Sequence, residues 1–348
     1  MTEKLLIQHY KTYPKLQIQD IFKFLYQSTF GCEHFITSAE AVTTYIQKEY
    51  DAVCPTGTPL VEELDGAYYR VPLSYLKHGM RAETLGMLFF LSAKKEAGGK
   101  SDLIEKLNIV KELVRKNMLP FSITEWDQAV TGWEANGYPA VHHSDVFRNA
   151  YKPAYRVIAK EYVPFLPFFA ELDKRLATGP FTVAIEGGSA SGKTTLSQLL
   201  ETIYDCTIFH MDDFFLQPHQ RTPLRYAEVG GNIDRERFLT EVLQPLRKGE
   251  VVNYRRFDCS SLQLQEAIPM TPKKLTIIEG AYSMHPDLAP YYDYSVFLDI
   301  SPELQKERIL RRNSPEFAKN FFEKWIPLEK TYFSKGKIKE HCHMIISI

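Results

Sequence analysis

Cysteine is scarce in the 348-residue chain and its five copies, Cys32, Cys54, Cys206, Cys259 and Cys342, are never two or three residues apart. That spacing excludes a legible disulfide framework and a paired-cysteine zinc site, and it fits a reducing compartment. Long apolar runs are missing too. Stretches such as Leu88-Phe89-Phe90-Leu91 fall far short of the roughly 20 residues that span a bilayer. The opening MTEKLLIQHYK is charged almost at once and lacks the apolar core of about 7 to 15 residues of a secretion signal. A soluble cytoplasmic protein without membrane contact is expected. Charge of one sign is absent as well, since 42 Lys plus Arg meet 43 Asp plus Glu. No long-range positive field gathers nucleic acid, and any basic site must be local. What remains is an ordinary globular composition, 44% hydrophobic and 13% aromatic, without repeats or low-complexity tracts. At about 150 residues per domain the length predicts two domains.

Residues 1–178 read as a mainly helical domain, because apolar positions recur at helical spacing behind capping residues. Ile18, Ile21, Phe22 and Leu25 form one stripe. Thr37 and Glu40 read as a capping box before a helix carrying Val42, Tyr45 and Ile46. A further helix starts near Ser101 with Leu103, Leu107, Val110 and Val114 on one face, and another runs from near Thr124 to Gly137. Strand signal is thin: Ala67 to Leu73 is the one short extended piece, and Pro153, Pro164 and Pro167 punctuate the last helices.

The texture changes at Ala177-Thr178-Gly179-Pro180, where a loop dipeptide precedes the β-branched and apolar run Phe181 to Ile185. Similar runs recur at Cys206 to Met211, Leu275 to Ile278, Ser295 to Leu298 and Met344 to Ile348. Helical patterns at Lys193 to Ile203, Arg235 to Leu246 and Pro302 to Arg312 separate most of them. Strands alternating with helices imply a parallel sheet covered on both faces, so residues 179–348 are expected to form a doubly wound α/β domain.

Chemistry concentrates in this second half. Gly187, Gly188, Ser189, Ala190, Ser191, Gly192, Lys193 and Thr194, with Thr195 beside them, match the phosphate-loop pattern between a buried strand and a helix. Small residues there let main-chain N–H groups surround phosphate oxygens at a helix N-terminus. Lys193 is placed to reach the β and γ phosphates, and the Thr194 hydroxyl to ligate magnesium. Asp212 and Asp213 follow the second strand, at the edge where open α/β sheets bind ligands. Asp212 is the candidate base for an acceptor hydroxyl and a candidate metal ligand; Asp213 is placed to hold magnesium-bound water, to face the substrate or merely to be solvated. Glu279 ends an apolar strand at a position suited to orienting magnesium. Arg308 and Arg312, one helical turn apart, are candidates to neutralise charge on a transferring phosphoryl group. Tyr254, Arg255 and Asp258 mix aromatic and bidentate groups suited to a small polar substrate.

Together these residues resemble the uridine kinase and phosphoribulokinase superfamily. GGSASGKTT is the form its phosphate loop takes, Met211 to Phe215 is similar to its Asp-x-Phe segment in the nicotinamide riboside kinase version, Ile278-Glu279-Gly280 to its Glu-Gly, and Arg308 to Arg312 to its lid. The resemblance implies a P-loop kinase fold, ATP and Mg2+ as cofactors, and phosphorylation of a small-molecule hydroxyl with Asp212 as catalytic acid/base. Arg221 to Asp234 departs from a uridine-binding segment, which leaves the acceptor open among nucleosides, sugars and other metabolites.

Residues 1–178 resemble no named family, although polar clusters interrupt their apolar pattern. Gln27 with Glu33 and His34, Tyr69-Arg70, and His142-His143-Ser144-Asp145 with Arg148, Tyr155 and Arg156 together suit an anion-binding pocket. Ser144 equally reads as a helix cap preceded by loop histidines. His341-Cys342-His343 is expected within the last strand, where alternation sends neighbours to opposite faces. Two other readings stay open: a nucleotide-dependent switch whose helical half binds a partner, and a bifunctional protein with a second pocket around His142 and Arg148. The chain lacks Asn-Lys-x-Asp, the guanine-reading motif that a GTP switch would carry.

Overall fold

A computed structural model describes residues 2–32, 38–55, 58–95 and 98–348. Their contacts divide the chain into two units, Met1–Asp173 and Lys174–Ile348, with the division inside helix Leu166–Thr178.

In the first unit the helical stripes bury as their spacing requires. Ile21, Phe22 and Leu25 of helix Ile18–Phe30 are buried, as are Leu103, Leu107, Val110 and Val114 of helix Lys100–Arg115. The helix expected from Thr124 spans Ile123–Ala135. Its cap is Ser122, whose hydroxyl accepts from the Glu125 amide at 3.2 Å while Glu125 accepts from the Ser122 amide at 2.8 Å. Thr37 lies outside the described residues; helix Ala39–Val53 is capped by Ser38, which accepts from the Ala41 amide. Val42 and Ile46 of that helix are buried, but Tyr45 is 65% exposed, its ring centre 5.3 Å from the Arg156 guanidinium.

Three strands join these helices: β1 (Glu62–Glu63), β2 (Tyr68–Pro72) and β3 (Tyr155–Ala159), antiparallel in the order β1-β2-β3. The extended piece expected at 67–73 is β2. Where proline-punctuated helices were expected, β3 pairs along the whole of β2, with Arg70 opposite Val157. Its last four residues are all buried, so it lacks the alternation that marks a half-exposed strand.

The second unit begins with β4 (Phe181–Gly187), helix Lys193–Ile203 and β5 (Cys206–His210). Short strands β6 (Val252–Tyr254), β7 (Phe257–Asp258), β8 (Gln263–Leu264) and β9 (Ile268–Met270) follow, β6 pairing with β9 and β7 with β8. Then come β10 (Leu275–Glu279), β11 (Tyr294–Asp299) and β12 (Met344–Ser347). The main sheet is parallel in the order β12-β11-β4-β10-β5. Val183, Ala184, Ile185, Ile277 and Ile278 are fully buried, as a sheet with both faces covered demands. This is the doubly wound parallel sheet expected for residues 179–348. Phe209, Phe214, Phe238, Val242 and Tyr332 belong to a core cluster under the site-bearing edge.

The helix expected at 235–246 extends to Lys248 and carries a π-turn at Leu239–Leu243. The 341–343 cluster lies before β12, not within it: His341 ends helix Ile338–His341, and His343 Nδ1 is 2.8 Å from Ser295 Oγ. Among the described residues no helix is long and apolar enough to cross a membrane.

Candidate functional site

The ends of β4, β10 and β5 meet where strand order reverses, since β10 lies between β4 and β5 while β11 flanks β4 on its other side. Open α/β sheets form their ligand crevice at such a point. The loop after β4 turns through positive φ at Gly187 (152°), Ala190 (60°) and Gly192 (100°). A Cβ on Gly187 would lie 2.7 Å from the Leu298 carbonyl oxygen, which is backbone and cannot give way. Gly187→Ala is therefore expected to destabilise the second unit by about 1–3 kcal/mol and to abolish the thermal shift produced by ATP. A variant that melts and binds as the parent would refute this steric account.

Neighbouring helices hold the strained loop from outside. Arg308 Nη1 donates to the Ala190 carbonyl at 3.1 Å, and Gln305 Nε2 to that of Ser189 at 2.9 Å. Glu329 accepts from the Ser189 amide at 2.9 Å. On the inner side the amides of Lys193, Thr194 and Thr195 open the helix, whose first α-bond runs from the Leu196 amide to the Gly192 carbonyl. Lys193 Nζ bends over the loop, donating to the carbonyls of Gly187 at 2.9 Å and Gly188 at 3.0 Å. The buried Ser191 hydroxyl has no hydrogen-bond partner among the described residues.

Opposite the loop stand the acids. Parallel register places Glu279 beside both Ile185 and His210. Its Oε1 is 3.3 Å from Thr194 Oγ1 and 2.6 Å from His210 Nδ1. The bond to Glu279 holds the His210 imidazole above its ordinary pKa. Asp212 sits on the turn Met211–Phe214 that follows β5, with its side chain open to solvent. Partial desolvation by the protein around it, with help from Glu279 and Asp213, raises its carboxyl above the usual range against the pull of Lys193.

Residues 182–316 match the model of the phosphoribulokinase / uridine kinase family. That match lies within the second unit. Uridine kinase-like protein 5 of Arabidopsis thaliana is 28% identical over 152 residues, 40% of this chain and 32% of its own length. The uridine kinase of Chlamydia pneumoniae is 27% identical over 139 residues, 37% of this chain and 61% of its own. A solved structure of a possible uridine kinase from Bacillus stearothermophilus aligns with 51% of this chain and 99% of its own at 19% identity, with a TM-score of 0.39. The chain spans about a third of the length of the Arabidopsis relatives it matches.

Not every expected residue lines the crevice. Arg308 touches the loop, whereas the Arg312 guanidinium lies 5.8 Å from the centre of the Phe321 ring. Asp213 accepts from the Tyr254 hydroxyl, which anchors a fully buried ring. Arg255 pairs with Glu241, and Asp258 accepts from the Ser260 amide at 2.8 Å and the Ser261 hydroxyl at 2.9 Å, closing a turn. Four residues at the site have no counterpart in the sequence reading: His210, Gln305, Glu329 and Glu186. Glu186 is fully buried and takes the Gly187 amide at 2.8 Å, the Met284 amide at 3.0 Å and the Tyr332 hydroxyl at 3.0 Å. Burial pushes its carboxyl up to about 7, and its bond to Gly187 sets the first amide of the loop. An acid inside the run Val-Ala-Ile-Glu-Gly is a usable signal, because an acid is almost never fully buried without partners.

Proposed function

We propose that the second unit is an ATP- and Mg2+-dependent kinase that transfers the γ-phosphoryl group to a hydroxyl of a small metabolite, a nucleoside or sugar-like alcohol. The observation behind this reading is the convergence of the strained loop, Glu279 and Asp212 at one sheet edge. The names of the matched relatives favour a nucleoside acceptor.

The residues present fit both cofactors. Loop amides at a helix N-terminus, the Lys193 ammonium and the unpartnered Ser191 hydroxyl are donors suited to phosphate oxygens. Thr194 and Glu279 offer oxygen atoms 3.3 Å apart, with Asp212 as a further oxygen donor, which is the hard-ligand chemistry magnesium takes. Among the described residues no preformed cluster of three or more His, Cys, Asp or Glu is present, in keeping with an ion held partly by substrate phosphates and water. Bound MgATP supplies the phosphoryl group and neutralises its charge.

The chain's own residues do the rest. Lys193 exchanges its loop carbonyls for phosphate, Arg308 keeps the loop in its strained form, and Asp212 receives the acceptor proton at a carboxylate oxygen. Catalysis is then positioning and charge placement.

Full-length protein incubated with ATP and, separately, nucleosides, pantothenate, sugars and hydroxy acids should release ADP in step with one phosphorylated product. A metal chelator should abolish turnover and excess Mg2+ should restore it. Hydrolysis without a phosphorylated product for any acceptor would overturn the reading.

A further inference from the structure

The first unit contains a cavity of about 940 Å³ that the proposed kinase chemistry does not use. One wall is apolar and aromatic, with Val42, Tyr45 and Phe89 contributed by helices Ala39–Val53 and Ala82–Ala93. The other is cationic, with Lys23, Arg148 and Lys152 on it. Glu49 also lines the cavity and is taken by Arg156, whose Nη2 is 2.8 Å from its carboxylate. Arg148 pairs with Asp145 at the surface.

Lys23 is the informative group. Its Nζ donates to the Val141 carbonyl at 3.2 Å, and no described carboxylate lies within ion-pair distance of it. Burial, together with the charge of Arg70, pulls its pKa down to about 8 against the opposing pull of Asp20. An ammonium held this way, facing a cavity without a carboxylate in ion-pair contact, is suited to a ligand anion.

The floor is a built polar chain. Asp20 is buried and accepts from the Ser144 amide at 2.9 Å, the Ser144 hydroxyl at 2.7 Å and the Gln17 amide at 2.9 Å, and lies 2.9 Å from His143 Nδ1. Burial alone would raise its carboxyl, but these donors outweigh it and hold the group ionised. Burial drops the His143 pKa to about 4, so near neutrality the ring is uncharged with its proton on Nδ1, toward Asp20. His143 Nε2 then accepts from the Tyr155 hydroxyl at 2.7 Å. Tyr155 lines the cavity, and Arg70 lies 4.8 Å from its ring centre on the protein side. Ser144 does cap helix Asp145–Tyr151, yet its hydroxyl also faces Asp20, so cap and polar chain are one construction. Glu33 and His34, grouped with Gln27 on sequence grounds, lie outside the described residues.

We propose that this cavity is a second ligand site, for a small organic anion whose phosphate or carboxylate faces Lys23 and the 142–152 segment and whose apolar body lies against Tyr45 and Phe89. Tyr155, with its proton directed to His143, keeps an oxygen lone pair for a donor on the ligand. The site lies wholly in the first unit and stands whether or not the second unit proves to be a kinase.

Fluorescence of anilinonaphthalene sulfonate, an aromatic anion, tests this on the full-length protein. One probe per chain should bind, should persist with excess ATP, and should be displaced by phenyl phosphate or benzoate but not by phenol. Whichever of the two anions competes better identifies phosphate or carboxylate as the favoured head group. Lys23→Gln should weaken binding about tenfold, as loss of a charge-assisted hydrogen bond does, and Tyr155→Phe should weaken displacement by hydroxyl-bearing anions alone. Asp212→Asn should leave the probe untouched, which separates this site from the kinase crevice. If Lys23→Gln does not fold, the exposed Lys152→Gln and the salt dependence of the parent carry the test. Absence of binding, displacement by ATP, equal competition by phenol, or folded lysine variants with parental affinity would each overturn the proposal.

Discussion

Asp212→Asn is expected to lower kcat for acceptor phosphorylation by about 100- to 10,000-fold, the span a positioned proton acceptor contributes. Asparagine keeps the size and polarity of the side chain but removes its negative charge and its ability to take a proton. ATP affinity should change far less than kcat, because the loop, Lys193 and Arg308 make their contacts without Asp212. The pH profile gives an independent readout. A base works deprotonated, and the Asp212 carboxyl is raised above its usual range by partial desolvation and by Glu279 and Asp213. Activity should accordingly fall with decreasing pH at values above the ordinary aspartate pKa of about 4, and that limb should vanish in the variant's residual rate. His210 titrates beside it, so the limb belongs to the coupled group rather than to one residue. Steady-state rates across pH for parent and variant decide the matter, and full activity in the variant would remove Asp212 from the reaction.

Glu62→Gln should destabilise the first unit by about 3 kcal/mol, the lower end of what breaking a buried ion pair costs. Arg70 is 2% exposed, and its Nη1 lies 3.1 Å from Glu62 Oε2. The rest of its fork donates to Gln27 Oε1 at 2.9 and 3.0 Å. Those neutral partners and the Phe24 and Tyr155 rings cannot balance a guanidinium charge once the carboxylate is gone. Burial would raise the Glu62 carboxyl, but Arg70 and the hydrogen bond with His9 overcome it and hold the group at about 2. A carboxyl depressed in the folded state stabilises above its unfolded pKa and loses that contribution as pH falls toward the folded value. The parent should therefore lose stability between about pH 4.5 and 2, and the variant should lack that part of the decline. Hydrogen exchange of the amides in β2 and helix Ile18–Phe30 reports on this unit by itself. Exchange unchanged by the substitution would show that Gln27 and the rings suffice for Arg70.

The two sites differ in how far a linear reading reaches. The phosphate loop was legible because its requirements are local: small residues at set intervals, positive φ at Gly187 and Gly192, an apolar strand before and a helix after. Local rules likewise account for the Ser122 cap, the buried face of helix Lys100–Arg115 and the limits of helices Lys193–Ile203 and Pro302–Arg312. The acids after β5 and β10 could be named from the same pattern of apolar strands ending in polar residues.

What the chain's order does not contain is register between distant segments. His210 meets Glu279 because β5 and β10 align residue against residue across the sheet, an alignment set by packing and main-chain pairing rather than by either strand's composition. Arg308 and Arg312 share a helix face, yet only the former reaches the loop, since Phe321 from a later helix occupies the latter. The polar clusters at 27, 70, 143 and 155 were visible as interruptions of apolar periodicity. Their union into one hydrogen-bonded floor beneath a cavity depended on β3 pairing with β2 and on residues more than a hundred positions apart meeting in three dimensions. Periodicity encodes which face of an element avoids water, and only the packed fold decides which other face it meets.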